Sequence, residues 1–152
     1  MQYLAAALGI LGIDLGIKEY IERTRTEGID EKKCKGAFII RKYHNQGAFL
    51  NMGQSRQKLV MILSVLLTVG LTICYLVTLG HAGKNMLKWG LTLLLGGAYS
   101  NTYDRVRRKY VVDYLSFSVP WKRLRGIVFN IGDFCIMVGV LLCILAEYKC
   151  NR

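Results

Sequence analysis

The sequence predicts an all-α integral membrane protein with four transmembrane helices and a small β-rich segment in its first loop. Hydrophobic residues make up 53% of the 152-residue chain, and the mean hydropathy is positive. The apolar residues gather in four long runs, and most of the charged residues lie between these runs. A chain of this length is sufficient for one domain, here a single membrane domain over residues 1–152.

The four apolar runs give the predicted spans, at residues 3–20, 59–79, 86–103 and 127–146. The second run is long enough to cross the hydrocarbon core as a helix, while the third is short but can be accommodated by bilayer thinning or flanking anchors. No basic residue precedes the first run and no convincing cleavage site follows it. We therefore expect it to stay as a span rather than to be removed as a signal peptide.

The segments between the runs have different characters. Residues 23–57 form a long first loop, in which residues 36–43 are rich in β formers and Asn45-Gln46-Gly47 is a turn signal, so we expect a small hairpin or curled sheet. Residues 81–85 form a tight turn, and residues 104–126 form a basic third loop. Four spans place the first and third loops on one side of the membrane, and the termini and tight turn on the other.

The patterns of charge, cysteine and histidine indicate which ligands and cross-links the chain can form. The net charge is +11, but the basic residues avoid the apolar runs, which indicates contact with anionic lipid headgroups rather than with nucleic acid. The five cysteines form no C-x-x-C pair, and the two histidines fall in segments on opposite sides of the membrane. We therefore expect no disulfide and no metal site.

Three carboxylates lie in or at the rim of the apolar runs, namely Asp14, Asp104 and Asp133. A charge at the centre of a membrane helix costs about 2.5–3.5 kcal/mol, so such residues are functional candidates. All three are displaced toward the side of the first and third loops, and Asp113 lies in the third loop on that same side.

Helical spacing adds polar neighbours to each of these carboxylates, so three spans present a polar stripe at one membrane level. The neighbours at i,i+3 or i,i+4 are Lys18 to Asp14, Asn101 to Asp104, Arg105 to Asn101, and Asn130 to Asp133.

Structural interpretations compete with functional ones for two of these groups. Asp14 with Lys18 fits a structural ion pair better than a catalytic one, and Asp104 with Arg105 at a helix end could be an interfacial anchor. Asp133 has no charged residue in its flanks and therefore needs a partner from another span, which favours a functional role. Gly96-Gly97 lies mid-span and indicates close helix packing.

Two carboxyl groups that face each other at low dielectric cannot both ionise easily, so such a pair shares a proton. A pair of this kind can activate water and protonate a tetrahedral intermediate, as aspartic proteases do. Asp113 and Asp133 could supply it, with nearby Asn and Arg side chains holding a peptide carbonyl or an anionic headgroup.

Five motifs in order, over most of the chain, resemble those of the lipoprotein signal peptidases, or signal peptidase II. They are Asp14-Leu-Gly-Ile-Lys18, similar to D-x-x-x-K; Asn45-Gln-Gly-Ala-Phe49, similar to N-x-G-A-A-F; residues 96–105, GGAYSNTYDR, similar to G-G-A-x-x-N-x-x-D-R; Val111-Val-Asp113-Tyr114, similar to V-V-D-F; and Phe129-Asn130-Ile-Gly132-Asp133, similar to F-N-x-A-D.

The resemblance implies that Asp113 and Asp133 form a catalytic pair. It also implies that other residues shape or support the substrate site, namely Asn45, Asn101, Arg105, Asn130, Asp14, Lys18 and Asp104. The implied substrates are diacylglyceryl-modified bacterial prolipoproteins, cut before the lipidated cysteine without a metal or organic cofactor, in a reaction blocked by globomycin.

The resemblance also implies a location. It places a monomeric, multi-pass protein in the bacterial cytoplasmic membrane, with both termini cytoplasmic and with the β-rich loop domain and active site at the extracytoplasmic face. The positive-inside rule would instead put the basic first and third loops in the cytoplasm. We follow the motif set because it is more specific than a charge bias.

The sequence departs from the family pattern at four places, because one Ala of the turn motif is missing and Leu15, Tyr114 and Gly132 replace Gln, Phe and Ala. These departures keep open a second function, a catalytically altered paralogue that binds lipidated membrane partners without cleaving them. A small transporter or proton channel is a third alternative, which the lack of an inverted repeat argues against.

Overall fold

Four helices and three short strands make up the architecture of the computed structural model, which describes residues 1–48, 53–121 and 126–150. Phe49 of the turn motif and the basic segment 122–125, of sequence KRLR, lie outside this part. The helices are α1 (Gln2–Thr24), α2 (Gln57–Leu79), α3 (Asn85–Arg107) and α4 (Ile131–Cys150), and the strands are β1 (Glu31–Lys33), β2 (Phe38–Asn45) and β3 (Val111–Phe117). The prediction of a mostly helical protein with a small sheet is confirmed.

Two helices of the described chain are long and apolar enough to cross a membrane, over Gln54–Leu79 and Ile131–Lys149. Only 11% of the apolar window of each is buried inside the protein. Leu66, Leu67 and Leu141 are among the large side chains that are more than half exposed. Outward surfaces this apolar are unfavourable in water and suit a lipid environment.

Helix α3 packs against the three other helices and forms the centre of the bundle. Its small residues allow this close approach, because a Cβ at Gly97 would collide with the carbonyl of Gly132 on α4 and one at Gly96 would lie 2.9 Å from Ile10 of α1. The predicted role of Gly96-Gly97 in close helix packing is confirmed.

The sheet is antiparallel in the order β1-β2-β3. The first two strands form a hairpin in the first loop, where a hairpin or curled sheet was expected, but its turn lies at Cys34–Gly36 and not at the turn signal Asn45-Gln46-Gly47. Strand β3 comes from the third loop, where no strand was predicted. Its residues include two valines and aromatic or branched side chains, which favour a half-buried strand. The register pairs Tyr43 with Asp113 and Asn45 with Val111, so the two loops meet at Asp113.

The fourth apolar run begins near residue 127, but α4 begins at Ile131. Phe129 is held in an extended bridge by Leu115 of β3, because each residue donates its backbone N–H to the carbonyl oxygen of the other at 2.8 Å. Asn130 therefore lies directly before the first turn of α4. The sheet fixes where the helix that carries Asp133 begins.

Candidate active site

Asp133 lies in the first turn of α4 and is positioned by a reciprocal pair of hydrogen bonds. Its backbone N–H donates to Asn130 Oδ1 at 2.8 Å, and its Oδ2 accepts from the Asn130 backbone N–H at 3.1 Å. This arrangement is a capping box, which satisfies otherwise unpaired backbone N–H groups at a helix start. It also fixes the direction of the Asp133 side chain. Its other oxygen, Oδ1, accepts from Asn101 Nδ2 of α3 at 2.8 Å.

Asp113 lies on β3 with only 1% of its surface exposed. Its Oδ1 accepts a hydrogen bond from Asn130 Nδ2 at 2.6 Å, and its Oδ2 accepts one from Asn45 Nδ2 at 3.0 Å. Burial, and next the negative charge of Asp133, raise the pKa of Asp113 to about 7. Asn130 thus bonds to both aspartates, which we call the carboxylate pair (Asp113 and Asp133).

Each of the three asparagines around the carboxylate pair is held in one orientation, because its amide oxygen already accepts a hydrogen bond. The donors are Gly47 N for Asn45 at 3.1 Å, Lys18 Nζ for Asn101 at 2.7 Å, and Asp133 N for Asn130 at 2.8 Å. The amide NH₂ groups must therefore point toward the carboxylates. The four carboxylate oxygens all receive a donor, so an ionised aspartate is tolerated without a cation.

Asp14, Lys18 and Asp104 form a second group, which we call the ion cluster. All three side chains are fully buried, and Lys18 Nζ lies 2.8 Å from Asp14 Oδ2 and 3.4 Å from Asp104 Oδ2. Ser100 completes the cluster by accepting from Lys18 at 2.8 Å and donating to Asp14 at 2.5 Å. The geometry agrees with the structural ion pair expected for Asp14 and Lys18.

The interfacial-anchor alternative for Asp104 is excluded. Asp104 is fully buried, and its Oδ2 accepts a hydrogen bond from the backbone N–H of Val112 at the start of β3. Arg105, its neighbour in sequence, points elsewhere and donates to the carbonyl of Gly47 at 3.1 Å. Asp104 therefore ties α3 to the strand that carries Asp113.

A cavity of about 680 Å³ opens over the carboxylate pair. One part is polar, where Asn45, Asn101 and Arg105 lie beside the two aspartates. The other part is apolar, and its lining includes Leu67, Leu71, Ile136 and Met137 of α2 and α4. Asn130 and the ion cluster are not among the described residues that line it, so they support the site from behind.

The expectation that Asp133 has a charged partner from another span is wrong. Among the described residues, no cation lies within ion-pair distance of Asp133, and the partner from the neighbouring helix is the Asn101 amide. Lys18 is linked to Asp133 only indirectly, because the Asn101 amide accepts a hydrogen bond from Lys18 and donates one to Asp133. The described donors to the Asp133 carboxylate are therefore an amide side chain and a backbone N–H, both uncharged.

Two contributors to the site were missed from sequence. Ser100 bonds within the ion cluster, and Tyr114 places its hydroxyl between Asp14 and the first amide of α4. The spacing Asn130-x-x-Asp133 before an apolar run is a capping-box signal and could have indicated where α4 begins. The contact of Tyr114 had no sequence signal, because it joins residues from three separate segments.

A bundle with apolar outward faces, enclosing two hydrogen-bonded carboxylates at the polar end of an apolar cavity, defines a membrane protein equipped for acid–base chemistry. Comparison with known proteins identifies the family. Residues 6–149 match the model described as signal peptidase (SPase) II.

The chain is 29% identical over 153 aligned residues to a lipoprotein signal peptidase of Francisella tularensis subsp. novicida, covering 97% of this chain and 91% of that one. It is 31% identical to the lipoprotein signal peptidase of Moorella thermoacetica, covering 93% and 89%. A solved bacterial membrane enzyme shares the fold, with a TM-score of 0.85 at 23% identity over 99% of this chain and 90% of that one. This chain belongs to the signal peptidase II family and is a bacterial membrane peptidase.

Proposed function

We propose that this protein is an intramembrane aspartic endopeptidase that removes the signal peptide from diacylglyceryl-modified prolipoproteins by cleaving before the lipidated cysteine. The observation that carries the proposal is the carboxylate pair, because Asp113 and Asp133 line one cavity and are joined by Asn130. Membership of a peptidase family supports the reaction type. The relatives from Francisella tularensis and Moorella thermoacetica are lipoprotein signal peptidases, and this supports the substrate class.

The proposed mechanism uses the carboxylate pair with a single shared proton. The ionised carboxylate takes a proton from a water molecule as it attacks the scissile carbonyl, and the protonated one donates to the carbonyl oxygen. Collapse of the tetrahedral intermediate breaks the C–N bond as the new amine receives a proton from the pair. Two features support a shared proton, namely the buried position of Asp113 and its raised pKa near 7.

The two parts of the cavity suit the two parts of the proposed substrate. The apolar walls from α2 and α4 fit an acyl chain or an apolar signal sequence, since both are transferred from the bilayer without exposure to water. Arg105 reaches the polar part and, with Asn45, offers donors for peptide carbonyl oxygens. Neither the ion cluster nor Asn130 would touch the substrate in this arrangement.

All four helices cross the membrane in the proposed topology. Helices α1 and α3 are as long as α2, at 23 residues, and bury Asp14, Lys18, Lys88 and Asp104, while the exposed Arg23 and Arg107 lie in their last turns. Both termini and the turn at residues 81–85 would then be cytoplasmic, with the carboxylate pair near the extracytoplasmic face. A single cysteine introduced at Gly83, in a background without other reactive cysteines, tests the orientation. Rapid labelling of that cysteine from outside intact cells by an impermeant reagent would reverse it.

A gel-shift assay tests the function directly. Purified protein in detergent is given a diacylglyceryl-modified prolipoprotein, with and without globomycin, alongside Asp113→Asn and Asp133→Asn. We expect cleavage that globomycin blocks and that falls by at least about 10³-fold in both variants. Asp30→Asn is the matched control, because Asp30 is a half-exposed carboxylate paired with Arg41 far from the cavity; it should cleave normally.

The assay also separates the enzyme from a binding paralogue. A folded protein that retains the lipidated substrate through purification but never cleaves it would support the paralogue. Cleavage that both Asp→Asn variants perform at the normal rate would remove the carboxylate pair from the mechanism while leaving the peptidase activity in place.

A further inference from the structure

Tyr114 lies next to Asp113 on β3, but its side chain points toward α1 and the start of α4. It is 5% exposed, and its hydroxyl donates to Asp14 Oδ1 at 3.1 Å. The same hydroxyl accepts from the backbone N–H of Ile131, the first residue of α4, at 3.0 Å. Burial raises the pKa of Tyr114, so the hydroxyl keeps the proton that it donates. One hydroxyl group thus links α1, β3 and α4.

Gly132 lies at the same junction, one residue beyond Ile131. A Cβ at this position would lie 2.9 Å from Asp14 Oδ2, 3.0 Å from Asn130 Oδ1 and 3.3 Å from the carbonyl of Gly97. All three distances are shorter than ordinary van der Waals contact with carbon. The carboxylate of Asp14 therefore occupies the space that a methyl group would need, and it is kept there by Lys18, Ser100 and Tyr114.

We propose that Tyr114 is a positioning residue for the peptidase reaction, which acts with Gly132 by clamping the first turn of α4 against Asp14 and so sets the distance between Asp133 and Asp113. The inference rests on the proposed role of the carboxylate pair. It adds a coupling between two positions that adjoin the aspartates of the pair in sequence but contribute no side chain to the cavity or to the carboxyl groups of the pair.

The clamp works through the start of α4. Asp133 is held by the capping box with Asn130, so its side chain moves with the first turn of that helix. Asp113 is on the same strand as Tyr114 and moves with the sheet. Without the Tyr114 hydroxyl, the Ile131 N–H loses its acceptor and Asp14 loses a donor, so the helix start can move away from the strand. A methyl group at position 132 pushes the same surfaces apart while the hydroxyl holds them together.

The two changes should therefore be strongly coupled. Tyr114→Phe should lower kcat by about 10- to 100-fold, because small misplacements of reacting groups have effects of this size, while KM stays within about twofold. Gly132→Ala should lower kcat at least as much. In the double variant the added methyl meets less resistance, so kcat should be about that of Tyr114→Phe alone, with the second change adding under about threefold.

The experiment is a double-mutant cycle on the full-length purified protein with a diacylglyceryl-modified prolipoprotein. Tyr75→Phe is the matched control, because Tyr75 is equally buried, at 1% exposed, and its hydroxyl contacts only Thr92 among the described residues; kcat should not change. A second measurement is the pH profile of kcat/KM. Separation of the carboxylates weakens their repulsion, so the high-pH limb of Tyr114→Phe should move to lower pH.

The outcomes separate this inference from the proposed function. Loss of cleavage in Asp133→Asn with normal kcat in Tyr114→Phe would refute the clamp and retain the carboxylate pair. Additive effects of Tyr114→Phe and Gly132→Ala would refute their coupling. Full activity of Asp133→Asn would instead refute the proposed function on which the clamp depends.

Discussion

The molecule holds two pairs of aspartates between its helices and sheet, and the two pairs are stabilised in different ways. In the ion cluster, Asp14 and Asp104 both contact the ammonium group of Lys18. In the carboxylate pair, Asp113 and Asp133 receive only amide and backbone donors from the described part of the chain. In the first arrangement opposite charges lie in contact, so their attraction offsets part of the cost of taking each of them out of water.

This difference shows how one residue type serves two purposes within one bundle. The ion cluster joins α1 to α3 and lies behind the cavity, where its opposite charges balance each other. The carboxylate pair lines the cavity, where the proposed mechanism needs a proton to be taken up and released. Asn101 connects the two, since its amide accepts from Lys18 and donates to Asp133. A change in the ion cluster should therefore alter stability first and activity second.

The largest effect on stability is expected from Lys18→Met. The variant leaves Asp14 without a cation among the described residues and Asp104 with Arg108 alone, whose Nε lies 3.4 Å from Asp104 Oδ1, and this should cost about 3–5 kcal/mol. It also releases Asn101 to rotate, so cleavage should fall even in molecules that remain folded. Thermal unfolding in detergent measures the first effect, and cleavage per folded molecule measures the second.

Arg23→Met is the control for Lys18→Met. Arg23 forms an ion pair with Glu19 at the exposed end of the same helix, where solvent screens the interaction. The melting temperature of Arg23→Met should equal that of the wild type. If Lys18→Met also melted at the wild-type temperature, the ion cluster would not be the structural element described here.

The carboxylate pair should give the enzyme a pH limit near neutrality. Asp113 has a pKa of about 7, and loss of the shared proton leaves no acid for the carbonyl oxygen. We therefore expect kcat/KM to fall by about tenfold per pH unit above about pH 7. Initial rates across pH in one detergent measure it. A profile that stays flat to about pH 9 would contradict the shared proton.

Removal of a carboxylate from the pair should stabilise the protein, whereas a change in the ion cluster should destabilise it. The pKa of Asp113 is raised from 3.8 to about 7 in the folded protein, so this group contributes stability below about pH 4 and loses it as pH rises through about 7. Asp113→Asn removes the titration but leaves either Asn45 or Asn130 facing an NH₂ group. The net gain at about pH 8 should be on the order of 2 kcal/mol.

Melting temperatures at about pH 4 and about pH 8 test this sign. The difference between Asp113→Asn and wild type should be larger at the higher pH. A variant that is less stable than wild type at both pH values would mean that the hydrogen bonds of Asp113 outweigh the burial of its charge.

The sequence was informative about the residues of the site and less so about the contacts between them. Asp14, Lys18, Asn101, Asp104 and Asp133 could be selected because polar residues in apolar runs are costly and helical spacing places them on common faces. Helical repeats are local, so this part of the prediction needed no tertiary information. The β structure of the first loop was accessible from a local run of β formers, but the position of the hairpin turn was not.

What could not be predicted depends on contacts between distant segments. β3 becomes a strand because β2 pairs with it, and Phe129 stays extended because Leu115 bridges to it, which delays the start of α4. The partner of Asp133 was expected to be a charge, but whether a buried carboxylate faces a cation or an amide depends on how α3 and α4 pack. These arrangements follow from tertiary packing rather than from local patterns.

Ser100 and Ser116 give the smallest and most direct comparison of partnered and unpartnered polar groups. Both are fully buried, but the Ser100 hydroxyl bonds to Lys18 and Asp14, whereas Ser116 Oγ has no hydrogen-bond partner among the described residues. Ser100→Ala should therefore cost about 1–3 kcal/mol, because it removes a donor and an acceptor from buried charges.

Ser116→Ala should be neutral or stabilising by up to about 1 kcal/mol, since it removes a buried hydroxyl that gains nothing from its surroundings. Thermal unfolding of the two variants in the same detergent measures both effects. Because both changes are Ser→Ala, the side-chain volume that is lost is the same. Equal destabilisation would mean that the lost volume, and not the hydrogen bonds of the ion cluster, sets the cost. A loss confined to Ser100→Ala would attribute the cost to hydrogen bonds with the buried charges of α1.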